Sequence, residues 1–231
     1  MFPPTPDRQL GDPEALARLH ALHDRPLNFD LERRASFTRD AGWKVDDYCQ
    51  PLPSEPPGDP VPGGSWERAR DVMRRYEFAD PALVRALYAP ESPLEGRDML
   101  LEARFHGLRF HLGVRVGGVV DATCRHRGRE VRVWGWSYRT LQGHLEMGEM
   151  DYEVWKWLDN GDVEFRIHVV SRAARIPNPL VRLGFRLFGR RQQVRFARRA
   201  CERMAKLVAG ESVQSAGDQV PVRSYAARGR A

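Results

Sequence analysis

The stretch that decides the fold is residues 130–172, which read EVRVWGWSYRTLQGHLEMGEMDYEVWKWLDNGDVEFRIHVVSR. It predicts two strands, Glu130–Tyr138 and Gly148–Trp157, joined by a polar connection, and a third strand, Asp162–Ser171. These predictions rest on the alternation of side chains and on the abundance of β-branched and aromatic residues. The stretch therefore indicates an antiparallel sheet built from neighbouring hairpins.

The third of these strands has the clearest pattern. Every second residue from Val163 to Val169 is apolar, and the residues between them are Glu164, Arg166 and His168. This alternation is typical of a strand with one face on a core and the other in water. In the first strand, by contrast, apolar residues occupy both faces, so neither face is predicted to be the solvent side.

Upstream of this stretch, the apolar residues change from helical spacing to alternation at about Leu94. The further predicted strands are Trp43–Gln50, Arg97–His106, Leu108–Val116 and Val119–Arg125. The later ones are separated by short glycine-containing breaks, and such short connections imply antiparallel pairing of consecutive strands. The predicted sheet has about seven strands.

Two helices are predicted ahead of most of these strands. Ser65 is a favoured N-cap for a helix over Trp66–Tyr76. The buried stripe of this helix is predicted to contain Trp66, Ala69, Val72 or Met73, and Tyr76. A second helix is predicted over Pro81–Tyr88, because Asp80 followed by proline is a favoured helix start.

The longest predicted helix covers Asn178–Ala209, with Asn178 as N-cap and proline at the first helical position. Residues at spacings of three and four define its predicted buried face. They are Leu180, Gly184, Leu187, Val194, Ala197, Cys201, Met204 and Val208. Arg191 interrupts this face, and we predict that it reaches a carboxylate of the sheet, because an unpaired buried guanidinium is unfavourable.

The chain is predicted to form one domain over residues 27–209. Residues 1–26 form an N-terminal extension with a short helix that starts after Asp12. Residues 51–64 contain six prolines and are predicted to be an extended surface linker. Residues 210–231 lack periodicity and are predicted to be a disordered tail.

Together these elements predict an α+β fold in which a curved antiparallel sheet of about seven strands packs around the long C-terminal helix. A twisted antiparallel sheet curls, and a single helix can cover its concave face. Between such a helix and sheet there is often room for an apolar cavity. The order of elements resembles the helix-grip fold of the START and birch-pollen-allergen superfamily, although a fold does not determine a function.

A second resemblance rests on particular residues. The segment from Trp134 to His144, the Gly148-Glu149 strand start and the Ser171-Arg172 strand end resemble the family of unknown function labelled DUF1990. The resemblance covers most of residues 27–206. It implies the fold and the boundaries, and it implies no reaction.

The chain departs from the pattern of this family at three positions. Arg139 stands where the turn of the family has glycine, Gln142 where it has proline, and Ala173 where proline follows the Ser-Arg pair. The segment Leu27–Asp30 is similar to the Leu-Asn-Tyr opening of the family.

The composition is that of a soluble globular protein, with 42% hydrophobic residues and a mean hydropathy of −0.56. No apolar run of about 18 residues is present, which excludes a membrane-spanning helix, and the N-terminus lacks the pattern of a signal peptide. Cys49, Cys124 and Cys201 are far apart and have no metal-like spacing. We expect a cytoplasmic protein without a metal or other cofactor.

The connection between the first two strands of the opening stretch contains candidates for chemistry. These are Thr140, His144, Glu146, Glu149 and Asp151. His144 changes charge near neutral pH, and with Glu149 it could form the acid–base pair of a cyclase- or hydrolase-like enzyme. The alternative is that Thr140 and His144 satisfy the backbone of the connection while the carboxylates are solvated. Dinucleotide, Walker and nucleophile-elbow motifs are absent.

Aromatic residues are unusually dense in the predicted sheet. The candidate ligand-binding residues are Trp134, Trp136, Tyr138, Tyr152 and Phe165, together with His144 and Arg172. Such rings can line a pocket for an apolar ligand, or they can fill the core between sheet and helix. We expect most of them in the core and a minority at the rim of a cavity.

The long helix is strongly basic, with eight arginines and one lysine against one glutamate over residues 178–206. Arg190, Arg195 and Arg198 are therefore candidates for contacting anionic lipid or nucleic acid. Alternatively, the arginine stems cover apolar surface while their charged groups stay in water.

These patterns favour a non-enzymatic binding module that holds a small apolar or amphipathic ligand between the sheet and the C-terminal helix. Two further hypotheses stay open. One is an enzyme in the same cavity, and the other is a peripheral protein that binds anionic lipid or RNA through the basic helix.

Overall fold

The computed structural model describes residues 13–105 and 108–210. The helices are α1 (Pro13–His20), α2 (Ser65–Arg74) and α3 (Pro179–Ala209), with a short 3-10 helix at Leu31–Ser36. The strands are β1 (Lys44–Leu52), β2 (Val84–Leu87), β3 (Asp98–Phe105), β4 (Leu108–His126), β5 (Arg129–Thr140), β6 (Glu146–Trp157) and β7 (Val163–Ala173). Two predicted features lie outside the described residues. They are the helix start at Asp12, within residues 1–12, and the disordered tail from residue 211.

The strands form one antiparallel sheet in the order β1-β7-β6-β5-β4-β3-β2. Strands β2 to β7 pair consecutively, and β1 pairs with β7 and forms the other edge of the sheet. The helices α2 and α3 pack against the same face of this sheet, which we call the inner face. The predicted α+β helix-grip fold is confirmed.

The seven strands differ from the predicted seven in two places. The segment predicted as a helix over Pro81–Tyr88 contains the edge strand β2, which pairs with β3. Asp80 does bind the backbone N–H of Ala82, but this contact closes a turn and no helix follows. The two strands predicted on either side of Gly117 are one strand, β4, because the register shift at this glycine is a bulge within the ladder.

Strand β5 is buried on both faces, as its sequence indicates. Its inner face contributes Trp134 and Trp136 to the main core with α2 and α3. On the outer face of the sheet, Val131 and Val133 pack against Trp157. Elsewhere on the outer face, α1 and the residues after it cover leucines of β2 and β3.

The predicted boundaries of α3 are confirmed. Of its predicted buried face, only the C-terminal half is buried. The side chain of Asn178 accepts hydrogen bonds from the first turn, and Gly210 ends the helix with φ 78°. From residue 193 onward the helix is packed, with Ala197 and Met204 fully buried. At the other end, Leu180 and Leu187 are 79% and 59% exposed. The N-terminal half of α3 therefore stands clear of the core.

The proline-rich segment before α2 lies largely at the surface, as predicted, but Glu55 within it is buried. Its carboxylate accepts hydrogen bonds from Lys156 Nζ at 2.8 Å and from the backbone N–H of Trp66 at 2.8 Å. Glu55 thereby supplies the N-terminal cap of α2, a role predicted for Ser65. Burial raises the pKa of Glu55, but the hydrogen bonds from Lys156 and the backbone outweigh it and leave the pKa below its ordinary value.

Replacing Lys156 by methionine should leave the Glu55 carboxylate buried without its cation. We expect Lys156→Met to lower the free energy of unfolding by about 3–5 kcal/mol in urea denaturation. The matched control Lys206→Met, at an exposed position of α3, should change it by less than about 0.5 kcal/mol. Equal midpoints for the two variants would show that the buried pair does not anchor α2.

Candidate functional site

A pocket of about 340 Å³ lies between the inner face of the sheet and the N-terminal half of α3. Its wall is mostly apolar. The sheet side includes Leu101, Leu112, Tyr138 and Met150, and the helix side includes Val181, Phe185 and Phe196. The pocket occupies the place where the helix is not packed on the sheet.

The side chains of α3 explain this space. Where the helix is packed, Ala197 and Ala200 are small enough for its backbone to approach its neighbours, and both are fully buried. Where it lines the pocket, Gly184 has no side chain, and a Cβ atom built there would meet no atom within 4 Å. The small residues thus allow close contact in one half of the helix and leave a cavity in the other.

The polar side chains of the wall are Arg104, His144, Glu146, Gln192 and Gln193. Of these, Glu146 and Gln193 lie together and form what we call the polar end. Gln193 Nε2 donates to Ser171 Oγ at 2.8 Å and lies 3.4 Å from Glu146 Oε2. Glu146 Oε1 is buried and has no hydrogen-bond partner within the described residues. Lys44 Nζ is the nearby cation, 4.0 Å from this oxygen.

His144 is held by the backbone two residues further on. His144 Nδ1 lies 3.0 Å from both the backbone nitrogen and the backbone oxygen of Glu146. Burial lowers the pKa of His144 to about 4, against the opposing effect of a backbone hydrogen bond with Glu146. The expected change of charge near neutral pH is therefore wrong, and His144 is neutral there.

The side chain of His144 also borders a second pocket of about 710 Å³. The wall of this second pocket includes Asn28 and Phe29, from the segment that is similar to the opening of the DUF1990 family, and Ile176 ahead of α3. His144 thus contributes to both pockets.

Glu149, the predicted acid–base partner of His144, faces away from the pocket. Side chains alternate along a strand, so Glu149 lies on the outer face of the sheet and its neighbour Met150 on the inner face. The Glu149 carboxylate is buried in ion pairs with Arg139, at 2.6 Å, and Arg34, at 2.5 Å. The residue that accompanies His144 at the pocket is Glu146, which shares the parity of Met150 along β6.

Thr140 has the backbone-satisfying role that the alternative hypothesis assigned to it. Its Oγ1 accepts from the N–H of Gly148 at 2.9 Å and donates to Asn28 Oδ1 at 2.6 Å. The hydrogen bond with Gly148 ties the start of β6 to the end of β5.

The candidate ligand-binding residues separate into three groups. Tyr138 and His144 line the pocket of 340 Å³. Four aromatic residues lie in the main core behind it; they are Trp134, Trp136, Tyr152 and Phe165. Arg172 is exposed at the end of β7. The ligand-binding role of these residues stays a prediction.

Among the candidate anion-binding residues, Arg190 is engaged within the protein. Both of its terminal nitrogens bind the Asp46 carboxylate of β1, one of them at 2.6 Å, and this hydrogen bond holds the pKa of Asp46 below its usual value. Arg191 is exposed, so the carboxylate partner predicted for it belongs to Arg190 instead. The position of Arg191 in the helix turns its side chain away from the sheet. Arg195 and Arg198 are also exposed.

The Arg190–Asp46 pair predicts effects of different size at two neighbouring positions. Arg190→Ala should lower the free energy of unfolding by about 0.5–1 kcal/mol, the range of a partly exposed ion pair screened by solvent. Arg191→Ala, with the same change of charge, should lower it by less than about 0.3 kcal/mol. Urea denaturation measures both, and a larger loss at Arg191 would contradict this geometry.

The sheet, the long helix and the pocket between them define a helix-grip protein. The chain belongs to the DUF1990 family, described as a domain of unknown function, whose profile matches residues 32–203. The resemblance found in the turn and strand ends is thereby confirmed. We found no curated protein that matches the chain by sequence.

Solved structures with this fold are similar to the chain at low sequence identity. Ara h 8.0201 is 11% identical over 74% of this chain and 100% of its own, with a TM-score of 0.42. Major latex-like protein 151 from Panax ginseng is 9% identical over 71% of this chain and 95% of its own, with a TM-score of 0.38. Human STARD10 is 7% identical over 86% of this chain and 81% of its own, with a TM-score of 0.34.

Proposed function

We propose that the protein is a non-enzymatic binding module that holds a small apolar or amphipathic molecule between the sheet and α3. The pocket of about 340 Å³ carries this proposal. Small-molecule sites typically measure about 300–1,000 Å³ and combine an apolar wall with a few placed polar groups. Here Glu146 and Gln193 lie together at one end of the pocket, which suits a ligand with one polar end.

Contacts with both walls of the pocket would make the binding of an apolar ligand favourable. Atoms that line an empty space lack dispersion partners on one side, and a bound apolar molecule restores these contacts. The enzyme hypothesis, in contrast, depended on His144 and Glu149, and the Glu149 carboxylate is occupied by Arg34 and Arg139 on the other face of the sheet.

Filling the pocket from the helix should abolish binding without unfolding the protein. Gly184→Phe places a ring in open space, and it removes a residue that disfavours helix by about 1 kcal/mol relative to alanine. We expect the affinity for the neutral fluorescent probe 1-N-phenylnaphthylamine to fall at least about tenfold, with an unchanged or higher melting temperature. A tenfold loss corresponds to about 1.4 kcal/mol.

The matched control is Arg182→Phe, which adds the same ring at an exposed position of α3 outside the pocket wall. It should bind the probe like the unmodified protein. Native mass spectrometry of both variants would add the mass of any co-purified ligand. Equal probe affinity in Gly184→Phe and the unmodified protein would refute ligand binding in this pocket.

A second candidate function is docking on an anionic lipid surface. Leu180, Leu183 and Leu187 are 79%, 56% and 59% exposed on the N-terminal half of α3, beside the exposed Arg182 and Arg186. Exposed leucines among arginines suit the interface of an anionic bilayer. An RNA strand would instead favour stacked aromatic rings. No helix within the described residues is long and apolar enough to cross a membrane, so this contact would be peripheral.

Two double variants with the same loss of charge test this docking. Each arginine near an anionic surface contributes about 1 kcal/mol, so Arg182→Gln/Arg186→Gln should weaken binding to phosphatidylserine-containing vesicles by roughly 30-fold. Arg195→Gln/Arg198→Gln, on the half without exposed leucines, should weaken it much less. Vesicle sedimentation at low and high salt measures both. Equal losses would contradict docking through the leucine-bearing half.

A further inference from the structure

We propose that the polar end of the pocket is a hydroxyl-binding site, in which Glu146 Oε1 hydrogen-bonds the head group of an uncharged amphipathic ligand. This inference rests on the proposed function of the pocket. It assigns the chemical class of the ligand, an alcohol with an apolar body, and the side chain that recognises it.

One carboxyl oxygen of Glu146 makes no hydrogen bond within the described residues, and the Lys44 Nζ cation lies 4.0 Å from it. Glu146 is the first residue of β6 and lies on the inner face, four residues before Met150 of the pocket wall. Its Oε2 faces Gln193, whereas its Oε1 is buried and makes no hydrogen bond within the described residues. A buried polar atom without a partner is unfavourable, so a ligand that hydrogen-bonds Oε1 gains what the free protein lacks.

The charged groups around Glu146 come from three elements. Lys44 and Asp46 face it from β1, Arg190 faces it from α3, and the neutral His144 precedes it in the connection from β5. Burial raises the pKa of Glu146 to about 7, although Lys44 and Arg190 oppose this effect. Both protonation states of the carboxyl group are therefore populated near neutral pH.

A hydroxyl group is the head group that fits this environment in both states. It donates to the ionised carboxylate, and it accepts from the protonated carboxyl group. A carboxylate ligand would be repelled whenever Glu146 is ionised. An ammonium ligand would match only the ionised state, and it would bring a further cation close to Lys44 and Arg190.

A matched set of eight-carbon compounds tests the head group. Octane, 1-octanol, octanoate and octylamine are titrated against the protein loaded with 1-N-phenylnaphthylamine, at pH 6 and pH 8. We expect 1-octanol to displace the probe about three- to tenfold more tightly than octane, the contribution of one hydrogen bond. Octanoate should bind more weakly at pH 8 than at pH 6, because the ionised fraction of Glu146 increases and the protonated fraction of the ligand decreases as the pH rises.

Three variants assign the effect to Glu146. Glu146→Met keeps the length of the side chain without a polar head, and it should remove the preference for 1-octanol over octane. Glu146→Gln can still hydrogen-bond a hydroxyl group, so it should keep this preference while reducing the pH dependence of octanoate binding to the part that the titration of the ligand itself causes. Glu153→Met, on the same strand but on the outer face, should behave like the unmodified protein.

The possible failures are distinguishable. Equal affinity for octane and 1-octanol, a preference retained in Glu146→Met, or tightest binding of octylamine would overturn the hydroxyl site and leave the pocket function intact. If none of the four compounds displaces the probe and Gly184→Phe binds the probe normally, the pocket function itself is wrong, and the hydroxyl site falls with it.

Discussion

The uneven packing of α3 on the concave face of the sheet is the constraint on which the rest of this structure depends. The C-terminal half of the helix is buried through small and apolar residues such as Ala197 and Met204. The Arg190–Asp46 ion pair and the Gln193–Ser171 hydrogen bond lie at the end of this packed half. Beyond them the helix continues over the sheet without filling the space below, and this space is the pocket.

The boundary between the packed and the unpacked half of α3 brings polar groups to one end of a mostly apolar cavity. Gln193 belongs to the first packed turn of α3 and faces Glu146 at the start of β6. The N-terminal half of the helix, in contrast, has exposed leucines and few buried residues. Segments with few buried contacts open at a lower free energy than packed ones. The pocket therefore has a tightly packed polar end and a loosely packed helical wall.

The buried Glu55–Lys156 pair helps to position α2, the helix that precedes Tyr76 of the pocket wall. Glu55 holds the N-terminus of α2 through the backbone N–H of Trp66, and Lys156 ties this carboxylate to β6. The residue Tyr76, just after α2, lines the pocket. This charge pair, together with the buried apolar residues of α2, holds the helix that precedes Tyr76, and neither charge can be buried favourably without the other.

Local patterns in the sequence determined most of the fold. The alternation from Val163 to Val169, the caps Asn178 and Gly210, and the motif that ends at His144 were sufficient to predict the three central strands, the long helix and the family. Each of these signals acts over a few residues of backbone, where the geometry of a strand or helix terminus dictates side-chain type.

Only the tertiary structure decided which side chains meet. Alternation along β6 separates Glu146 from Glu149, but it does not say which of them faces the helix. Helical spacing predicts an apolar face on α3, but it does not say which half of that face the sheet covers. It also predicted that Arg191 faces the sheet, whereas the arginine that binds Asp46 of the sheet is Arg190. These outcomes depend on contacts between residues 47 to 144 positions apart, which the balance of burial and charge pairing in the folded chain determines.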